Sequence, residues 1–120
     1  MIQARRPRRN RRSAEVRALV QETVLRKEDF VYPLFLMEGD HKKVEVASMP
    51  GIYRYSIDLL LEEIAESMHL GIKAFAPFPQ IAESLKDSLA QESYRPENLY
   101  LRAIKTIKQN FPEALLITDV

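Results

Sequence analysis

The chain has 120 residues, 46% of them hydrophobic and 29% charged, with no cysteine and no tryptophan. That composition excludes a disulfide scaffold, a thiolate metal site within this stretch and a disordered chain, and it suits a soluble globular domain, or part of one, in the cytoplasm. No apolar run nears the ~20 residues of a bilayer-spanning helix, so no membrane role is expected. The formal charge of +1 hides two objects: Arg5, Arg6, Arg8, Arg9, Arg11 and Arg12 crowd the amino end, and from Ser13 onward 12 basic and 17 acidic residues leave −5.

Residues 1–12 contain no acid and little to bury, so they read as a basic arm that does not fold by itself, joined to a body over 13–120. Arginines can clamp nucleic-acid phosphates, but no aromatic residue is interleaved with them and the body carries the wrong sign for a polyanion. A transit peptide would be longer and amphipathic. An arm that docks on an acidic surface of a partner subunit fits the charges better, and the −5 body offers such a surface. A non-enzymatic interaction module, or a nucleic-acid-binding one using this arm, is the alternative to the enzyme reading developed below.

Ser13 is a good N-cap and Glu15 suits the positive end of a helix running to about Glu22, with Val16, Leu19 and Val20 as its apolar stripe. Phe30 to Met37 is nearly all apolar and reads as a strand buried on both faces, although Pro33, which cannot donate to a ladder, suggests an edge or a bulge. Glu38-Gly39-Asp40 is a turn, Val44 to Val46 a short extended piece, and Ser48 to Gly51 a tight turn. A helix runs from its N-cap Ser56 to Gly71, burying Ile57, Leu60, Leu61, Ile64, Ala65 and Met68 and exposing Glu62, Glu63 and Glu66. Ala74 to Phe78 is a second buried strand, and 80–95 a polar loop long enough to be functional. Pro96 opens a helix to about Asn110, with Leu99, Ala103, Ile104 and Ile107 inward, and Ala114 to Val120 is a third buried strand. Strands alternating with helical crossovers predict a parallel α/β sheet, and three such strands need more covering elements than this stretch supplies. The expectation is therefore the opening part of a longer α/β protein, ending in or just after its third strand.

The only glycines, Gly39, Gly51 and Gly71, spell neither a dinucleotide fingerprint nor a phosphate loop. His41 and His69 lack metal-ligand spacing to each other or to a carboxylate cluster. In parallel sheets the reactive groups stand at the carboxyl ends of strands. Asp119 holds such a position after a run without ionisable groups, where a carboxylate is costly unless paired or used. Lys73 precedes the second strand and reads as a solvated amine, while Phe78 and Pro79 end that strand and could wall a pocket.

Several of these segments, in this order, resemble the porphobilinogen synthase family, also called 5-aminolevulinate dehydratase. They are Arg8-Arg-Asn-Arg-Arg12, Tyr32-Pro-Leu-Phe35, Ser48-Met-Pro-Gly51 followed by an aromatic and Arg54, Phe78-Pro79, Tyr94-Arg-Pro96 and Phe111-Pro-Glu113 leading into Ile117-Thr-Asp-Val120. Arg95, where asparagine is usual, and Pro77, where leucine or a similar residue is usual, are departures. The resemblance implies a (β/α)8 barrel of ~250 residues, preceded by an arm that wraps a neighbouring subunit through Arg8, Arg9, Arg11 and Arg12 in a homo-octamer or related assembly. It implies a lyase that condenses two 5-aminolevulinate molecules to porphobilinogen in tetrapyrrole and haem biosynthesis. The two Schiff-base lysines lie beyond residue 120, so these 120 residues alone are expected to be inactive. By the same resemblance Asp119 is the active-site aspartate and Phe78 a substrate-pocket residue, and zinc or magnesium assists at sites mostly beyond this chain.

Overall fold

The computed structural model describes residues 8–118. Residues 1–7 of the basic arm, and with them Arg5 and Arg6, lie outside the described residues, as do Asp119 and Val120.

Branched and aromatic residues make β1 (Val31–Leu36) a strand, and it pairs in parallel with β4 (Ala74–Pro79) along its whole length, Val31 opposite Ala74 and Leu36 opposite Pro79. On its other side β1 pairs with β3 (Tyr53–Tyr55) only at Phe35 and Leu36. Short β2 (Lys43–Glu45) lies antiparallel outside β3, and β5 (Leu115–Leu116) is parallel to β4, which gives the sheet order β2-β3-β1-β4-β5. β1 is thus an interior strand and not an edge. Its proline is tolerated because β3 reaches only the last two residues of β1, so that at Pro33 β4 alone adjoins it among the described residues. The parallel pairing of β1, β4 and β5 matches the sequence reading, but β5 covers only Leu115–Leu116 of the expected Ala114 to Val120 strand and is not buried. β3 does not, because its Tyr-Arg-Tyr run is too short to separate from the turn before it.

Both long helices lie against one face of this sheet. α2 (Ile57–Leu70) and α4 (Leu99–Asn110) bury Leu60, Ile64, Leu99, Ala103 and Ile107 against Leu34, Leu36 and Phe75. The strands are therefore buried on one face and not on both. Along β1 Leu34 and Leu36 are buried while Val31 is 46% exposed, and along β4 Phe75 and Pro77 are buried while Phe78 is 40% exposed. That is the period-two pattern of a one-sided sheet, and a cross-strand partner shares each face: Phe35 with Phe78 on the helix-free side, Leu34 with Pro77 on the helix side.

The ends of α2 follow the sequence. Gly71 at its carboxyl end has φ 101, and its N–H bonds back to the Met68 carbonyl at 3.0 Å, a left-handed cap that glycine adopts without steric cost. α4 begins later than Pro96 suggested. Asn98 is the N-cap, its side chain accepting from the Leu101 N–H at 2.8 Å. The polar loop contains a one-turn helix, α3 (Gln91–Tyr94), set by Asp87, whose Oδ1 accepts from the N–H groups of Leu89 and Gln91 at 2.9 and 3.1 Å.

The arm stands away from the body. α1 (Ala14–Leu19) starts at Ser13, which accepts from Val16 N–H at 3.3 Å, and stops three residues short of the expected end. Leu19 is 85% exposed and no residue of α1 is buried, because no other described element covers its stripe. The radius of gyration, 21.1 Å, exceeds the ~14 Å of a compact chain of this length, and the longest axis is 64 Å.

Candidate functional site at the strand ends

The carboxyl ends of β1, β4 and β5 point to one end of the sheet, where Met37, Pro79 and Thr118 follow or close their strands. The loop over 80–95 and the first turns of α4 gather beside them. Between loop, α4 and strand ends is an open cleft of about 740 Å³, reached by Pro79, Thr118, Tyr100, Ile104, Lys86 and Asp87. A smaller recess of about 210 Å³ adjoins it beneath Met37, Glu38, Gln80 and Leu99.

Charged pairs hold the rim. Arg102 on α4 donates through Nη2 to Glu38, in the turn after β1, and through Nε to the Glu97 carbonyl at 3.1 Å. Arg95 grips Glu92 with two parallel bonds of 2.7 Å, which hold the carboxyl of Glu92 below its usual range and raise the guanidinium. This departure from the family pattern is thus a local brace. Asn98, 2% exposed, donates to the carbonyls of Glu92 at 2.9 Å and Ser93 at 3.3 Å while capping α4, and so ties the loop to the helix.

Phe78 stands at the same end but on the other face. Its ring lies 6.0 Å from that of Phe35, tilted by 32°, on the helix-free side of the sheet. With Val31, Leu115 and Ile117 it forms an exposed apolar surface there. The structure does not bring Phe78 into the cleft. Asp119, the other residue singled out for the site, falls outside the described residues. Lys73 is exposed at the amino end of β4, away from the strand ends, as its position in the sequence predicted.

Two clusters emerge that the sequence did not disclose. Glu63 of α2 accepts from the hydroxyls of Tyr32 at 2.7 Å and Tyr55 at 3.0 Å, one on each carboxylate oxygen. Burial first, then this hydrogen bond and the charge of Glu63, push Tyr32 up to about 12, and the same causes raise Tyr55. The second cluster corrects the reading of His41 as remote from carboxylates. Its Nδ1 lies 3.1 Å from Asp40 and 2.9 Å from Asp58, and its N–H donates to Asp58 at 2.9 Å. The fold brings in Asp58 from 17 residues away, which no spacing rule detects. The hydrogen bond that the imidazole donates to Asp40 and the charges of both carboxylates raise its pKa, while Ser56, donating to Asp58, holds that carboxyl low. His69, exposed in the last turn of α2, joins no such group.

Among the described residues Asp40, His41 and Asp58 are the only group of His, Cys, Asp or Glu side chains close enough to share a cation. Their donor types suit a divalent ion. The arrangement does not: His41 Nδ1 and Asp58 Oδ2 already face each other, Asp58 Oδ1 accepts from Ser56, and Asp40 and His41 are exposed. No catalytic metal is placed there. No helix among the described residues is long and apolar enough to cross a membrane.

Comparison with known proteins gives a family. The family model described as delta-aminolevulinic acid dehydratase matches residues 4–120. The delta-aminolevulinic acid dehydratase of Bradyrhizobium diazoefficiens is 42% identical over 115 residues, which are 96% of this chain and 33% of the relative. A chloroplastic form from Arabidopsis thaliana is 39% identical over 118 residues, 98% of this chain and 27% of that one. The crystal structure of delta-aminolevulinic acid dehydratase (porphobilinogen synthase) from Toxoplasma gondii, in complex with the reaction product porphobilinogen, superposes with a TM-score of 0.91 at 46% identity, over 99% of this chain and 33% of that structure. The chain thus spans about a third of the length of these relatives.

Proposed function

Because the chain belongs to the delta-aminolevulinic acid dehydratase family, we propose that the complete protein is a porphobilinogen synthase, a hydro-lyase that condenses two molecules of 5-aminolevulinate to porphobilinogen in haem and tetrapyrrole biosynthesis. The observation that carries this is the superposition on the product-bound Toxoplasma gondii enzyme, with a TM-score of 0.91 over 99% of the chain. In this reading the sheet is the first part of a (β/α)8 barrel. The face that carries Val31, Phe35, Phe78, Leu115 and Ile117 is the barrel interior, so its exposed apolar side chains are the ones that further strands would cover.

The residues then divide by role. Phe78, at a strand's carboxyl end and on the interior face, walls the substrate pocket. Asp119 serves as the active-site aspartate. Covalent chemistry belongs to two lysines beyond residue 120, whose amines form Schiff bases with the keto groups of the substrates, a role that needs a pocket which lowers their pKa. None of Lys27, Lys42, Lys43, Lys73, Lys86, Lys105 or Lys108 takes that part. A divalent metal, zinc or magnesium, supplies Lewis acidity in the complete enzyme, and no residue described here is assigned to it. Arg8, Arg9, Arg11 and Arg12 belong to an arm that embraces a neighbouring subunit in a homo-octamer or related assembly, and a cytoplasmic setting completes the proposal.

The test is a porphobilinogen assay on the complete gene product incubated with 5-aminolevulinate. Turnover is expected, with loss of at least a hundredfold in Asp119→Asn, on the order of the ~10²–10⁴ that a positioned acid–base group supplies, and none from residues 1–120 alone. A complete protein that folds, is supplied with zinc or magnesium and makes no porphobilinogen would sink the proposal. Full activity in Asp119→Asn would remove only the assignment of that aspartate.

A further inference from the structure

The outer side of α2 carries Asp58, Glu62 and Glu66 at four-residue intervals, followed at the same interval by Leu70. Like charges so spaced stand over one another on a helix and repel. Asp58 is relieved by Ser56 and His41, and Glu63, beside the ridge, is taken up by Tyr32 and Tyr55. Glu62 and Glu66 are exposed and have neither a hydrogen bond nor an ion pair with any described residue. Elsewhere the exposed acids Glu38 and Glu83 have partners in Arg102 and Lys86.

The chain also holds the complementary object. Arg8, Arg9, Arg11 and Arg12 are exposed, and no described acid pairs with them. Residues 9–11 form a 3-10 turn, a geometry that eclipses side chains three apart. It aligns Arg8 with Arg11 and Arg9 with Arg12. At a rise of ~2.0 Å per residue each pair is spaced by ~6 Å, and an interval of four residues on an α-helix also spans ~6 Å. Within one copy no ion pair joins the described arginines to this ridge. Each partner surface also adds an exposed leucine: Leu70, 57% exposed, one interval beyond Glu66, and Leu19, 85% exposed, at the end of α1.

We propose that the Glu62–Glu66 ridge of α2 is the docking surface for the arginine turn of a second copy's arm, one arginine pair on the glutamate pair, with Leu19 and Leu70 closing the contact at its apolar end. This rests on the reading of the arm as an assembly element and adds the surface it takes.

The experiment measures the mass of the complete protein by sedimentation velocity, with circular dichroism to establish that each variant is folded. The set comprises deletion of residues 1–12, Glu62→Arg/Glu66→Arg, Arg9→Glu/Arg12→Glu, the combination of these two exchanges, and the milder Glu62→Gln/Glu66→Gln. Each charge reversal is expected to weaken assembly at least tenfold, the neutral pair by less, and the combined reversal to restore most of the loss. Deletion that leaves the assembly unchanged would overturn the arm reading itself and this inference with it. Deletion that dissolves the assembly while both glutamate variants keep the parental mass would overturn the docking surface alone. So would a combined reversal that restores nothing.

Discussion

Replacing Asn98 tests how the strand-end loop is held. Its side chain makes three bonds in a site 2% exposed: it accepts from Leu101 N–H at 2.8 Å and donates to the carbonyls of Glu92 at 2.9 Å and Ser93 at 3.3 Å. Loss of a helix N-cap costs about 1 kcal/mol. Loss of the donor costs about 1–3 kcal/mol, because the two carbonyls are left in a place where water replaces the amide poorly. Asn98→Ala should therefore destabilise by about 2–4 kcal/mol. Asn98→Ser keeps a cap oxygen and forfeits only the donor, for about 1–3 kcal/mol. Asn98→Asp also keeps the cap but sets a carboxylate against two carbonyl oxygens, and should be no better than serine. Urea denaturation of the complete protein, followed by circular dichroism, gives the order, and amide exchange across 91–97 should accelerate in all three. Alanine and serine variants of equal stability would show that the cap contributes nothing. An alanine variant within about 0.5 kcal/mol of the parent would refute the whole account of the site.

Three further outcomes follow from the geometry. Gly71→Ala forces a non-glycine residue to φ 101 and sets its Cβ 2.8 Å from Lys27 Cδ. Thermal unfolding should show a loss of about 1–2 kcal/mol, and adding Lys27→Ala should recover less than half of it, since the flexible lysine can move and the backbone cannot. Tyr32, raised to about 12 by burial and by Glu63, holds its proton more tightly folded than unfolded. The stabilisation is intact below its ordinary value of 10.0 and is lost as pH rises through about 12. Ultraviolet difference titration should show one late-ionising phenol fewer in Tyr32→Phe and an earlier one in Glu63→Gln; an unchanged alkaline profile would refute the bond. For His41, the hydrogen bond it donates to Asp40 is the largest cause of its raised pKa, followed by the charges of Asp40 and then Asp58. Imidazole proton resonances should titrate lower in Asp40→Asn than in Asp58→Asn, with both below the parent.

Features set by short-range rules were legible before the structure. Gly71 ends α2, Ser13 caps α1, and the parallel pairing of β1, β4 and β5 follows from the alternation of strands and helices. What failed was set by placement in space. The apolar runs of β1 and β4 read as two-sided because period alone does not say whether the second face has a neighbour in the same chain; Val31 and Phe78 show that here it has none among the described residues. Pro96 predicts the start of α4, yet Asn98 holds the N-cap because its side chain both caps the helix and holds the loop. The pairing of Asn98 with Leu101, three residues on, was the available signal, and the proline obscured it. The Tyr32–Glu63–Tyr55 and His41–Asp58 contacts join residues far apart in the chain, and nothing local in the sequence marks them.

These failures have a common physical origin. A side chain's burial is a property of whatever stands opposite it; among the described residues nothing covers the helix-free side of the sheet or the stripe of α1, and the Glu62–Glu66 ridge has no hydrogen bond or ion pair. The first two are apolar and the third is a repulsive array, so all three are unfavourable as they stand in water. Exposed apolar residues scattered singly would need no account. Here Phe35, Phe78, Val31, Leu115 and Ile117 share one face through the strand register, which makes them a prepared surface and not a remainder. Covering the sheet face falls to the further strands of the proposed barrel. The ridge of α2 lies on the opposite, helix-covered side and cannot be satisfied by barrel closure. In the docking proposed above its partner is the arginine turn of a second copy, so the arm and the sheet face have separate accounts.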